Sequence, residues 1–113
     1  MSTLQTALFA APAPARPTPQ GPSIPLEAVA RAPAAAVDVE ASSPDPRRAH
    51  LTHLAWATPT GSGALHHPGP EALAALARAG AATTLVFHNA IYDLVVLARA
   101  GCDLLGCAID DTR

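Results

Sequence analysis

The sequence predicts an α/β domain, with a mixed sheet built from a three-stranded antiparallel meander followed by parallel βα units and helices packed on it. Three observations carry that expectation. The apolar run Ala35-Ala36-Val37-Asp38-Val39-Glu40 places acids on alternate residues, the period of a strand. Residues 50–67 alternate and turn like a meander, and residues 70–101 pass from helix to strand to helix.

Taken in order, residues 1–33 hold seven of the 12 prolines and read as an extended, disordered Ala/Pro arm, which leaves 34–113 as the folding portion. At the tip of the arm, Gln5-Thr6-Ala7-Leu8-Phe9 is similar to the short peptide by which bacterial replication proteins dock into the sliding clamp. Two readings of it stand: a clamp contact through Gln5, Leu8 and Phe9, or a greasy terminus that matches by chance. After the strand at 35–40, Ala41 to Arg48 is a loop rich in proline and small polar residues. His50 to Thr58 is a second strand, with Leu51, His53, Ala55 and Ala57 on one face and Leu54 and Trp56 on the other. Residues 59–63 turn the chain, and Ala64 to His67 returns as a third strand. Pro68-Gly69-Pro70-Glu71 opens a helix with Leu73, Leu76 and Ala77 as its stripe and Gly80 as its stop. Thr83 to Phe87 is a continuous β-rich run, as expected of a strand buried on both faces. A second helix follows from Ala90 to Ala100, with Asn89 as N-cap and Gly101 after its end, and a last strand lies at Leu105 to Ile109.

Composition narrows the function. The 113 residues carry a net charge of -2 from seven arginines and no lysine, which excludes a broad basic face for duplex nucleic acid. A folding portion this short buries a marginal core. The apolar stretch Thr6 to Ala11 has no basic residue before it and meets Pro12 at once, so it makes a poor export signal and is too short to span a bilayer. Cys102 and Cys107 are expected as reduced thiols in a cytoplasmic protein with no membrane partner.

The chemistry is concentrated in three acids. Asp38 and Glu40 stand on one strand face, where two neighbouring anions repel unless they are solvated or bridged by a hard cation such as Mg²⁺ or Mn²⁺. Asp93 lies where a later strand gives way to a helix, and Asn89 precedes it by one helical turn, on the same face.

Those residues carry a family resemblance. Val37-Asp38-Val39-Glu40-Ala41-Ser42-Ser43-Pro44-Asp45-Pro46 resembles the first motif of the 3′-5′ exonucleases of the DEDD superfamily, which includes the proofreading domain of family A DNA polymerases. His88 to Gly101, with Asn89 and Asp93 four apart, is similar to the second motif, and Asp111-Thr112 matches the pair that commonly follows. The resemblance covers residues 34–113 and implies a ribonuclease H-like fold. It implies two-metal hydrolysis of the 3′-terminal phosphodiester of single-stranded DNA, with a polymerase domain or subunit as partner. Asp38 would bridge two Mg²⁺ or Mn²⁺ ions, Glu40 would hold the ion on the nucleophile side and Asp93 would support the other. Backbone N–H groups at Ala41 and Ser42, with Asn89, would meet the substrate.

Two departures qualify that expectation. Ala41 and Ser42 replace the family's usual threonines, and the chain ends at Arg113, before the third motif with its general base and fourth acid. The expectation is therefore the front portion of an exonuclease domain, with little or no activity alone and an exposed final strand. The alternative is a non-catalytic relic that binds single strands or a replication partner.

Other residues have plainer readings. Zinc on His66, His67, Cys102 and Cys107 is disfavoured, since adjacent histidines on a strand face opposite ways and the cysteine spacing is loose. Trp56 and Phe87 read as core, Tyr92 as packing, and Arg47 and Arg48 as a solvated loop.

Overall fold

A computed structural model describes residues 21–113. The Gln5-Leu8-Phe9 expectation lies outside the described residues.

The five strands are β1 (Ala34–Ala41), β2 (Leu51–Thr58), β3 (Gly61–His66), β4 (Thr84–Phe87) and β5 (Ile109–Asp111). They form one sheet in the order β3-β2-β1-β4-β5. The first three are antiparallel neighbours, and β4 and β5 add parallel to β1 and to each other. Helix α1 (Pro70–Ala82) connects β3 to β4, and α2 (Ala90–Arg99) connects β4 to β5. The mixed α/β sheet agrees with the expected fold class.

Alternation along the strands decides which side is core. Ala35, Val37 and Val39 of β1, Leu54 and Trp56 of β2, and Leu85 and Phe87 of β4 are buried with Leu76, Ala79, Val96 and Leu97 from the helices. The intervening residues of β1 and β2, namely Ala36, Asp38, Glu40, His53, Ala55 and Ala57, are exposed or half-buried, so the meander keeps one open face. A period of two therefore separates packing from chemistry on the same strands.

The structure corrects several boundaries. The arm expected over residues 1–33 does not extend through its last third. Leu26–Arg31 form a 3-10 helix against α1 and β2, with Leu26 and Val29 buried. Pro25 is its N-cap, where a missing N–H costs nothing, so proline here starts a turn of helix instead of preventing one. Residues 22–24 also run along β3: Ile24 donates to Ser62 at 2.9 Å, and Ser62 donates to Pro22 at 3.1 Å. The third strand begins at Gly61, not Ala64, because that part of the chain is pressed between neighbours. A Cβ on Gly63 would lie 2.5 Å from Trp56 Cζ2, so only glycine passes beneath the indole. Helix α1 continues through Gly80 to Ala82. Gly80 is buried, and a side chain there would meet Cys107 Sγ at 2.9 Å and Leu85 Cδ1 at 3.1 Å. Its glycine serves close packing, not helix termination. The last strand lies at Ile109–Asp111, four residues later than expected at its start, because residues 102–107 turn back over the core with Cys102 and Leu104 buried.

Candidate functional site

β1 delivers Asp38 and Glu40 to the open face of the meander. Its pairing with β4 ends at Ala36↔Val86, and β4 itself stops one residue later at Phe87. Beyond that point the N-terminal turn of α2 takes the place of a neighbouring strand. Asp93 in that turn accepts a hydrogen bond from the Val39 N–H, the backbone donor between the two acids. Asp93 is thus seated against the strand that carries Asp38 and Glu40.

Its environment is unusual for an acid. Asp93 is only 5% exposed, and its Oδ2 is buried with no hydrogen-bond partner among the described residues. Burial first, and the Asp38 charge second, push its pKa from 3.8 up to about 8, while the Val39 N–H pulls the other way. Without a counter-charge, Asp93 therefore holds a proton at neutral pH. A buried carboxylate oxygen lacking a partner, next to a second carboxylate, is a set of hard donors that suits a divalent cation such as Mg²⁺ or Mn²⁺.

Glu40 is turned elsewhere. Its Oε1 lies 3.5 Å from His53 Nδ1, with both side chains about half exposed. β1 and β2 pair Glu40 with His53 and Asp38 with Ala55, and these four residues with Ala64 line an open cavity of about 270 Å³. The structure thus brings Asp38 and Asp93 together and leaves Glu40 on the same face, paired with His53. Among the described residues, no three His, Cys, Asp or Glu side chains converge on a point where a metal ion could sit, zinc included.

Asn89 opens α2 at φ 65°, in the left-handed region, and its side chain makes no capping bond. The expected N-cap role belongs instead to Asp111 of β5. Its Oδ1 accepts the Asn89 N–H and its Oδ2 the Ala90 N–H, both at 3.0 Å. The N–H of Arg113 adds a third bond at 3.0 Å, and these donors hold the Asp111 carboxyl below the usual range. Thr112 completes the tie, donating from its N–H to Phe87 O at 2.9 Å and meeting His88 Nδ1 through its hydroxyl at 3.1 Å.

The loop after β1 is fixed as well. The register shifts between Glu40 and Ala41, and Ser42 donates its N–H to His50 O at 3.0 Å while its hydroxyl accepts the His50 N–H at 2.9 Å. The Ser42 N–H expected to meet a substrate is therefore engaged within the fold. Tyr92 donates its hydroxyl to Ser43 O and acts in packing, and Arg47 stays on the exposed loop, 3.3 Å from Asp45. The two adjacent histidines do not point apart: His67 sits past the end of β3 at φ 52°, which brings its ring centroid within 4.2 Å of that of His66.

Sequence reasoning missed His53 and Asp111 as site residues. The period of two puts His53 on the face opposite Leu54 and Trp56, but only the strand register pairs it with Glu40.

No protein-family model and no curated protein matches the chain. Solved structures do. Brucella melitensis NrnC matches with a TM-score of 0.56 and 24% identity, over 73% of this chain and 42% of its own. The same protein with bound Mg²⁺ gives 0.59 and 22%, over 80% and 46%. A structure described as the apo form of the nuclease gives 0.54 and 25%, over 69% and 40%. This chain shares the fold of these nucleases. It spans less than half the length of each.

Proposed function

We propose that this chain carries metal-binding acids of a 3′-5′ exonuclease site, acting on the 3′-terminal phosphodiester of single-stranded DNA. The observation that carries this reading is the buried, unpartnered Oδ2 of Asp93 beside Asp38. The nuclease neighbours, one of them with bound Mg²⁺, support it. Divalent cations would supply a nucleophilic hydroxide near neutral pH and neutralise charge on the phosphate.

The chain's own groups do the rest. Asp38 and Asp93 are the pair that would hold the cation, and Asp93 would hold it in its deprotonated form. The Val39 N–H keeps the Asp93 carboxyl oriented. Glu40, which lies 3.5 Å from His53 on the same face, would add a further carboxylate to the set. Asn89, held at the head of α2 by Asp111, stands one turn from Asp93 on the side where the strand end would enter. The partners in this reading remain a polymerase domain or subunit and, through Gln5, Leu8 and Phe9, a sliding clamp.

Calorimetric titration of the 113-residue chain with Mg²⁺ and Mn²⁺ tests the reading without relying on turnover. Binding should release protons at pH 7, detectable as a dependence of the heat on the buffer, and Asp38→Asn should abolish it. Binding of an end-labelled single strand should likewise require the cation. Cation binding that is absent in the millimolar range, or indifferent to Asp38→Asn, would refute the site. Strand binding with no cation requirement would instead favour the non-catalytic alternative.

A further inference from the structure

The open face of the meander carries a row of histidines that begins at His53, the neighbour of Glu40. Strand register lines up Glu40 with His53 across β1 and β2, and His53 with His66 across β2 and β3. The imidazoles of His53 and His66 are stacked, with centroids 4.4 Å apart and planes 16° from parallel. His67 extends the row through its left-handed backbone, fixed by donation of its N–H to Thr52 O at 2.7 Å. A non-glycine residue held in that region is a local strain, and here it places a third ring on the ladder.

The neighbouring row across the same strands is Asp38, Ala55 and Ala64. Its small side chains leave the hollow of about 270 Å³ between the acids and the ladder. That is close to the lower end of the roughly 300–1,000 Å³ typical of small-molecule sites, so it suits one nucleotide better than a long strand. His66 stands two strand spacings from Glu40, about 10 Å along the sheet.

We propose that the His53-His66-His67 ladder is a stacking platform for the terminal base of a nucleic-acid strand whose end phosphate lies against Asp38 and Asp93. This rests on the nuclease reading above and adds where the substrate's base is held. Exposed planar rings beside a polar hollow are the means by which proteins take unpaired bases, since every base offers a π-face. Desolvation, with His67 and His53 nearby, lowers the pKa of His66, so its ring meets a base as a neutral aromatic surface and not as a cation seeking phosphate. A zinc-type role for the same rings is not favoured, because no metal-holding group forms among the described residues.

The test compares two short oligothymidylates, one intact and one lacking only its 3′-terminal base, by fluorescence anisotropy with Ca²⁺ in place of Mg²⁺ to suppress cleavage. The intact strand should bind the full chain roughly 5- to 150-fold more tightly than the abasic one, the range expected from one base on an aromatic ring. His66→Ala, and His53→Ala with His66→Ala, should bring the ratio close to one, whereas His66→Phe should retain it. Circular dichroism of each variant checks that these exposed substitutions leave the fold intact. Equal binding of the two strands by the intact protein overturns the platform and leaves the nuclease reading standing. A ratio that survives both alanine variants overturns it too, and failure to bind either strand removes the nuclease reading together with the platform.

Discussion

Replacing Asp93 by Asn should stabilise the cation-free protein, and by an amount that grows with pH. The pKa of Asp93 moves from 3.8 to about 8 on folding, chiefly because its carboxyl is buried. A shift of roughly four units at about 1.4 kcal/mol each sets a ceiling of roughly 6 kcal/mol. The direction follows from proton counting. Below about pH 4 both folded and unfolded chains hold the proton, and stability is complete. Between about pH 4 and 8 the unfolded chain releases it first, so stability falls as pH rises through that window. Asn keeps an acceptor for the Val39 N–H, and its amide can donate toward Asp38, so the variant should lack that loss. If relaxation leaves only a third of the ceiling, about 2 kcal/mol, the melting temperature of a domain this size still rises by roughly 10 °C. Thermal melts by circular dichroism, in chelator from pH 4 to 9, should superimpose at the acid end, diverge up to about pH 8 and run parallel beyond it. Mg²⁺ or Mn²⁺ should then restore the wild type at pH 8 and leave Asp93→Asn unchanged. Profiles for the two proteins that stay parallel across the whole pH range would refute the account of Asp93 as a buried acid waiting for a cation.

Asp111→Asn should lower the melting temperature, because it weakens the anion that receives the Asn89 and Ala90 N–H groups. Since the Asp111 pKa is lowered on folding, this difference should disappear as pH falls through the native value below 3.8. Gly63→Ala should cost about 1–3 kcal/mol in a chemical-denaturation curve, and should alter the fluorescence of the single tryptophan, whose ring the new methyl would strike. Leu26→Ala should cost about 2–5 kcal/mol by the same measurement, whereas an unstructured arm at that position would show no change.

The elements legible in the sequence are those whose pattern is local. β2 shows why: His53, Ala55 and Ala57 alternate with Leu54 and Trp56, and burial alternates in the same phase. Asp93 was legible because its motif ties it to Asn89 and to the acids of β1. The 3-10 helix was hidden by proline content. Leu26 and Val29, three apart, form a short apolar stripe, but it gains its energy from α1, which comes some 40 residues later. Register was hidden too. The loop between β1 and β2 is too long for its turn type to fix the pairing, so Glu40 could not be matched to His53 until the strands were laid side by side. Asp111 stands at the far end of the chain from the helix it caps in space, and no spacing rule links a strand residue to a helix start 21 positions earlier.

That cap has a consequence for the site. Asp111 and Asp93 meet the same helical turn from opposite conditions. The first is exposed and surrounded by N–H donors that favour its charge, and the second is buried with one oxygen unpartnered. Environment therefore divides two like acids into an ionised one and a protonated one, the pattern by which proteins assign separate tasks to paired carboxylates. The ionised Asp111 also raises the Asp93 pKa, although less than burial and Asp38 do. Adding β5 at the sheet edge thus does two things at once: it anchors the head of α2, and it adds a small negative potential that favours the protonated form of Asp93. A strand of only three residues at the sheet edge thereby helps to set both the position and the protonation of an acid on the neighbouring helix.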